Sequence, residues 1–201
     1  MPAAATNLDG TKVQMGPCEI WADLAVPGAG GRLILVDGKP DTAQNPDAKH
    51  LGYTRQGAEI SIVPQITNFF ADESSFPIVS RVQQEVVSIS GEILQPADMD
   101  LMEILLATGT RSTISGIDGV HFGGNDLLNY TSVAVIAPLE EDATRYWVAH
   151  LYKAYNNAGL AGRLTRTDLM GIAFAFQGIA IGTRAEGDQV GAMWKQNVVG
   201  S

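Results

Sequence analysis

Cysteine, histidine and positive charge are all scarce in this sequence, and each shortage closes off a class of function. Cys18 is the single cysteine, so no intrachain disulfide can form and the fold does not rest on one. Lys and Arg number 13 against 22 Asp and Glu, a net charge of -9. Nucleic-acid binders ordinarily carry a basic footprint, and none is visible here. His50, His121 and His150 are the only histidines, and none belongs to a metal-spaced pair. His150 lies in a strand-like segment between Ala149 and Leu151, which suits a core or interface residue better than a ligand. Cys18 precedes a strand with no histidine near it in sequence, and reads as a buried structural thiol. The longest uncharged apolar run, Leu169 to Thr183, is shorter than the ~20 residues that a bilayer span needs. MPAAATNLDG lacks the basic and apolar regions of a signal peptide. A soluble protein of a reducing compartment is the expectation.

Catalytic signatures are missing too. GAGGR at 28–32 lacks the Lys-Ser/Thr and the following helix of a phosphate loop, and reads as a hairpin turn. NPDAKH at 45–50 sets an acid near a lysine, as some nucleases do, but in the most loop-like part of the chain. Asp98, Asp100 and Glu103 fall at a helix start, where complementarity to the helix dipole explains them. No Gly-x-Ser-x-Gly elbow or zinc spacing occurs. The chain is expected to be no enzyme and to hold no cofactor or metal.

Apolar residues are 45% of the 201 and charged residues only 17%, below the usual share of about 25%. Either the core is large or other protein covers much of the surface. Residues 1–16 show no periodicity and read as an N-terminal arm. Residues 17–182 read as one β domain, and 183–201 as a loosely patterned C-terminal extension that keeps Trp194, Val198 and Val199. Within the domain, strands are expected at Cys18–Ala25, Arg32–Asp37, Ala58–Thr67, Ser80–Leu94, Thr131–Ala137, Arg145–Tyr155 and Leu169–Ile181. Gly38 to Gly57 reads as a long loop, and 110–128 as a hairpin or loop.

In Ser80–Leu94, Val87, Ile89 and Ile93 share a face, but Val82 lies on the opposite phase. A bulge near Gln84 to Val86 would reconcile them. Pro96–Thr108 is the one expected helix, with Leu101, Ile104, Leu105 and Thr108 as its apolar stripe and Gly109 to close it. About seven strands joined by loops, with one flanking α-helix, predict a mainly β fold: an antiparallel β-sandwich or barrel.

One connection is unusual. TNFFADESSFPI, inside the inter-strand segment 67–79, has three phenylalanines, two carboxylates and no glycine. Hairpin turns favour Asn-Gly or Gly-X, and flexible linkers favour Gly and Ser. Its rings gain little unless something covers them: either the domain itself or another copy. Gly171, Ala173 and Ala175 form a small-residue face on the last strand, which suits either a cavity lining or a close subunit contact.

Taken in order, several segments carry a family resemblance. They are MGPCEIWAD (15–23), LGYTRQGAEISI (51–62), ADESSFPI (71–78), SISGEIL (88–94), ADMDLMEILLATG (97–109) and LMGIAFAFQGIA (169–180). The chain resembles a phage major tail tube protein over roughly residues 15 to 182. Related rings occur in contractile tails, pyocins and type VI secretion tubes. The resemblance implies hexameric rings of identical subunits, stacked into a tube through which DNA is ejected without specific binding. Its partners would be further copies and other phage tail proteins, with no membrane anchor. Its location would be the virion tail, after assembly in the host cytoplasm. Phe69, Phe70 and Phe76 would be covered by a neighbouring copy. Asp72 and Glu73 would set register against Arg81 or Arg55 of that copy. Glu85 and Glu92 are candidate lumen acids that would repel passing DNA; the alternative is that they simply face solvent or pair with arginines. The alternatives are another tube-fold virion ring, a tail terminator or distal tail protein, and a β-barrel module that binds a small ligand or a protein.

Overall fold

Alternation along two long, paired strands builds one wall of a barrel and then continues beyond it. The computed structural model describes residues 18–70, 76–94, 99–124, 126–139, 142–160 and 171–197. Its elements are β1 (Glu19–Ala22), β2 (Leu35–Val36), β3 (Lys39–Pro40), β4 (Lys49–Phe69), β5 (Val79–Ile93), α1 (Met99–Leu105), β6 (Thr110–Ile114), β7 (Ile117–His121), β8 (Thr131–Leu139), β9 (Asp142–Asn156), β10 (Ile172–Gly178) and β11 (Gly191–Asn197). The fold is mainly β with one helix, as expected.

The main sheet runs β10-β5-β4-β1-β8-β9-β11, and every pairing in it is antiparallel. β10 also pairs with β9, through Phe176–Asn156, Gln177–Tyr155 and Gly178–Ala154. That seam closes six strands into a barrel and leaves β11 as an added strand on β9. Alternate side chains of each strand point inward. Ile20, Ile89, Val133, Leu151 and Phe174 meet there, and Leu101, Ile104 and Leu105 of α1 pack against the same core. Phe174 and Phe176 lie with ring centroids 5.7 Å apart. Each such buried ring contributes about 1.5–3 kcal/mol relative to exposure.

A second apolar layer lies on the other face of β8. Ala134 and Ile136 of β8 and Val148 of β9 are covered by Leu24, Leu33 and Leu35, with Trp21 and Trp194 packed alongside. β8 is therefore buried on both faces, which explains the nearly unbroken apolar run VAVIA at 133–137.

Four expectations change. The long loop at 38–57 is mostly strand: Lys39–Pro40 pairs with β2, and Lys49 onward belongs to β4. Gly52 and Gly57 take positive φ, 100° and 84°, and a register shift falls between Thr54 and Ala58. These glycines are irregularities within one strand and do not end it. The C-terminal extension is also partly strand, because β11 pairs along its whole length with β9. α1 ends at Leu105, so Thr108 lies in the turn closed by the Gly109 amide on the Leu106 carbonyl. Pro96 and Asp98 lie outside the described residues, as do Met170, Val198, Val199 and the arm at 1–16. The β5 irregularity falls at Gln83, one residue before the expected window: Gln84 faces Gln65 and Val82 faces Ile66. It does return Val82 to the face of Ile60 and Ile89.

Candidate assembly surface

Beyond the barrel, β4 and β5 continue as a two-stranded ribbon. Ile62 through Phe69 pairs with Val87 back to Val79, and the Ile78 amide donates to the Phe69 carbonyl at 2.8 Å. β10 reaches β5 only over Ser88–Ile93, and β1 reaches β4 only over Lys49–Tyr53. Among the described residues the ribbon therefore has no third strand on either side. Seven residue steps from Ile62 to Phe69 carry the tip about 23 Å from the barrel wall.

The ribbon is apolar on both faces. Phe69 is 50% exposed, Phe70 61% and Phe76 80%, and Ile62, Val63, Ile66, Ile78, Val79 and Val82 are exposed as well. The three rings alone present roughly 400 Å² at about 200 Å² per ring. Monomers rarely show apolar patches beyond roughly 300–600 Å². Phe69 and Phe70 belong to neither buried apolar cluster of the described residues. Asp72 and Glu73 lie outside the described residues.

The remaining candidates are scattered. Arg55 sits 3.3 Å from Glu92 of its own chain, both half-exposed. Arg81 is exposed on the ribbon opposite Thr67. Glu85 shares a β5 face with Val87 and Ile89, whereas Glu92 shares the other with Ser88 and Ser90. The two candidate lumen acids thus lie on opposite faces of the sheet and are not brought together. Gly171, Ala173 and Ala175 fall on the outer side of β10, opposite Phe174 and Phe176; Ala173 pairs with Glu92 and Ala175 with Ser90. A Cβ at Gly171 would collide with the Glu92 carboxylate, so the missing side chain makes room for that acid. None of the three lines the cleft described next.

The cavity lies elsewhere, and sequence reasoning missed it. A half-open cleft of about 740 Å³ separates the base of the ribbon (Ile60, Ile62, Val87, Ile89) from β9 and β11 (Leu151, Met193), with Arg32 and Glu85 in its lining. Its far wall includes the turn at 185–190, held by Arg184. That guanidinium is nearly buried, donates to the Pro27 carbonyl at 2.6 Å and to Asp188 at 2.7 Å, and lies 4.1 Å over the Tyr152 ring. Hydrogen bonds from Tyr152 and Arg184 hold the Asp188 carboxyl below its ordinary range.

His150 is a core residue, as its sequence context suggested. Its Nε2 lies 2.8 Å from Ser132 Oγ, while Nδ1 meets no polar partner. Burial, with Arg184 adding to it, lowers the His150 pKa to about 4. Both residues are buried, Ser132 6% and His150 1% exposed, although His150 also belongs to the lining of the cleft. Cys18 is half-buried, its Sγ 3.9 Å from Thr54 Oγ1. Among the described residues, no group of three possible metal ligands forms, and no helix is long and apolar enough to cross a membrane.

A second projection was not singled out in the sequence. The β6–β7 hairpin turns through Ser115 and Gly116, both at positive φ, and holds Ile114 and Ile117 largely exposed at its tip. Arg111 braces its stem against Asp118 at 2.7 Å and against Asp100 of α1.

Compared with known proteins, the chain matches no family model and no curated protein.

Proposed function

We propose that this chain is a structural subunit that polymerises with copies of itself, in the manner of a phage major tail tube protein. The observation that carries the proposal is the exposed ribbon: two paired strands that run beyond their own barrel and expose Phe69, Phe70 and six aliphatic side chains. Covering those rings with a neighbour removes surface that water disfavours. The Ile114–Ile117 hairpin tip is a second, separate apolar projection. Contacts between two different patches of identical subunits are heterologous, and such contacts close into rings or propagate as filaments. The resemblance supplies the expectation of stacked hexameric rings in a virion tail, with other tail proteins at the ends. The net charge of -9 per subunit suits a conduit wall that repels passing DNA, because basic walls would bind its phosphates.

Electron microscopy of concentrated protein tests this: rings or tubes are expected, and a monomer at every concentration refutes it. Copy number per particle separates a tube, with many tens of subunits, from a terminator or distal ring, with one or two rings. The cleft supports a second function, a ligand-binding β-barrel module, since about 300–1,000 Å³ is the usual range of small-molecule pockets. That function predicts a stable monomer whose melting temperature rises with ligand.

A further inference from the structure

The cleft is bounded by two strand edges that lack neighbours among the described residues. On one side is β5 from Val79 to Val87, beyond the reach of β10; on the other is β11, whose only partner is β9. Glu85 and Val87 from the first edge and Gly191 to Met193 from the second line the same space. A cleft with apolar walls and open backbone edges matches the requirements of an added strand: main-chain groups to pair with and pockets for alternate side chains.

The chain's own ribbon cannot fill it. The ribbon base forms one wall of the cleft, and the paired strands continue for about 23 Å of chain before reaching Phe69. Phe69 and Phe70 are not part of their own cleft's lining and are exposed, so they are available to a different copy's. The charges also match. Glu85 in the cleft and Arg81 on the ribbon are opposite in sign, and neither makes an ion pair with a described residue. Arg32, also in the cleft lining, donates to the Gly30 and Gly31 carbonyls and lies over Trp194, and among the described residues it meets no carboxylate. Arg81 on the ribbon and Glu85 in the cleft lining are thus opposite charges that two copies can bring together.

We infer that the cleft between β5 and β11 is the seat for the ribbon of a second copy, which lays Phe69 and Phe70 against Ile60, Ile62 and Val87 and sets Arg81 near Glu85. This rests on the assembly proposed above and names the receiving surface. Because ribbon and seat are different parts of the molecule, each copy gives to one neighbour and receives from another, so the contact propagates.

Two experiments test it on the full chain. Glu85→Arg and Arg81→Glu are each expected to raise the concentration needed for assembly by about tenfold or more, and the double swap to return it close to wild type. In a Cys18→Ser background, a population with Asn68→Cys is mixed with one carrying Met193→Cys and treated with a short bis-maleimide. A cross-linked heterodimer is expected, well above the yield when Met193→Cys is replaced by Ala43→Cys, on an exposed turn outside the cleft. Equal yields, or Glu85→Arg assembling like wild type while Phe69→Ser/Phe70→Ser does not, overturn the seat and leave the assembly proposal standing. If Phe69→Ser/Phe70→Ser assembles like wild type, the ribbon contact itself is refuted and the seat with it.

Discussion

Replacing Phe69 and Phe70 with serine should separate folding from assembly, and the structure sets the size of both effects. The rings are 50% and 61% exposed, so at about 200 Å² per ring they leave roughly 100 and 120 Å² for a neighbour to cover. At about 25 cal/mol per Å² that surface is worth around 5 kcal/mol per contact. Ordering the ribbon and fixing two subunits offsets part of it, so taking half as the net loss leaves ~2.5–3 kcal/mol. This corresponds to about a hundredfold rise in the critical concentration. Neither ring touches the barrel core, so the monomer's stability should stay within about 0.5 kcal/mol of wild type. Sedimentation of the polymer, with the soluble fraction measured after spinning, reads the first quantity, and thermal unfolding in dilute solution reads the second. A soluble concentration within about threefold of wild type, under 1 kcal/mol, would show that these rings are not the contact.

Other consequences concern the barrel. His150 stays neutral in the fold because its pKa is lowered to about 4, while an unfolded histidine takes its proton near 6.5. Stability is therefore unaffected by this group above pH 6.5 and declines as the pH falls from there toward 4, by about 3 kcal/mol in total. His150→Gln should lose less stability than wild type between pH 7 and pH 4.5 in paired thermal melts; parallel curves would refute the assignment. Gly91→Ala should destabilise by about 1–3 kcal/mol, since its Cβ would stand 2.8 Å from Phe174 Cζ and 2.9 Å from the Gly57 carbonyl oxygen. An unchanged melting temperature would mean that the ladder there shifts freely.

Local alternation carried most of the fold. β5 and β10 announce themselves by side chains that repeat every second residue, β8 by its apolar run VAVIA, and α1 by Leu101, Ile104 and Leu105. What stayed hidden depends on distant partners. Gly52 and Gly57 look like chain breakers until their positive φ is seen inside a continuous strand. β11 reads as loose because Met193, a large apolar side chain, faces out while Gln196 is half-buried. The phenylalanines were conspicuous in sequence, but nothing local says that their flanking strands run free of the barrel. The cleft could not be read at all: its walls come from residues near 30, 60, 87, 150 and 190.

The barrel is closed by only three residue pairs between β9 and β10, whereas the ribbon's two strands are paired over their full length. Tension along the ribbon loads many rungs together in shear. A sideways pry between β5 and β11 instead falls on the short stitch at Phe176 to Gly178. A filament tied through these ribbons would therefore resist stretching more than lateral splitting, and its subunits would first open on the side where the cleft already gapes.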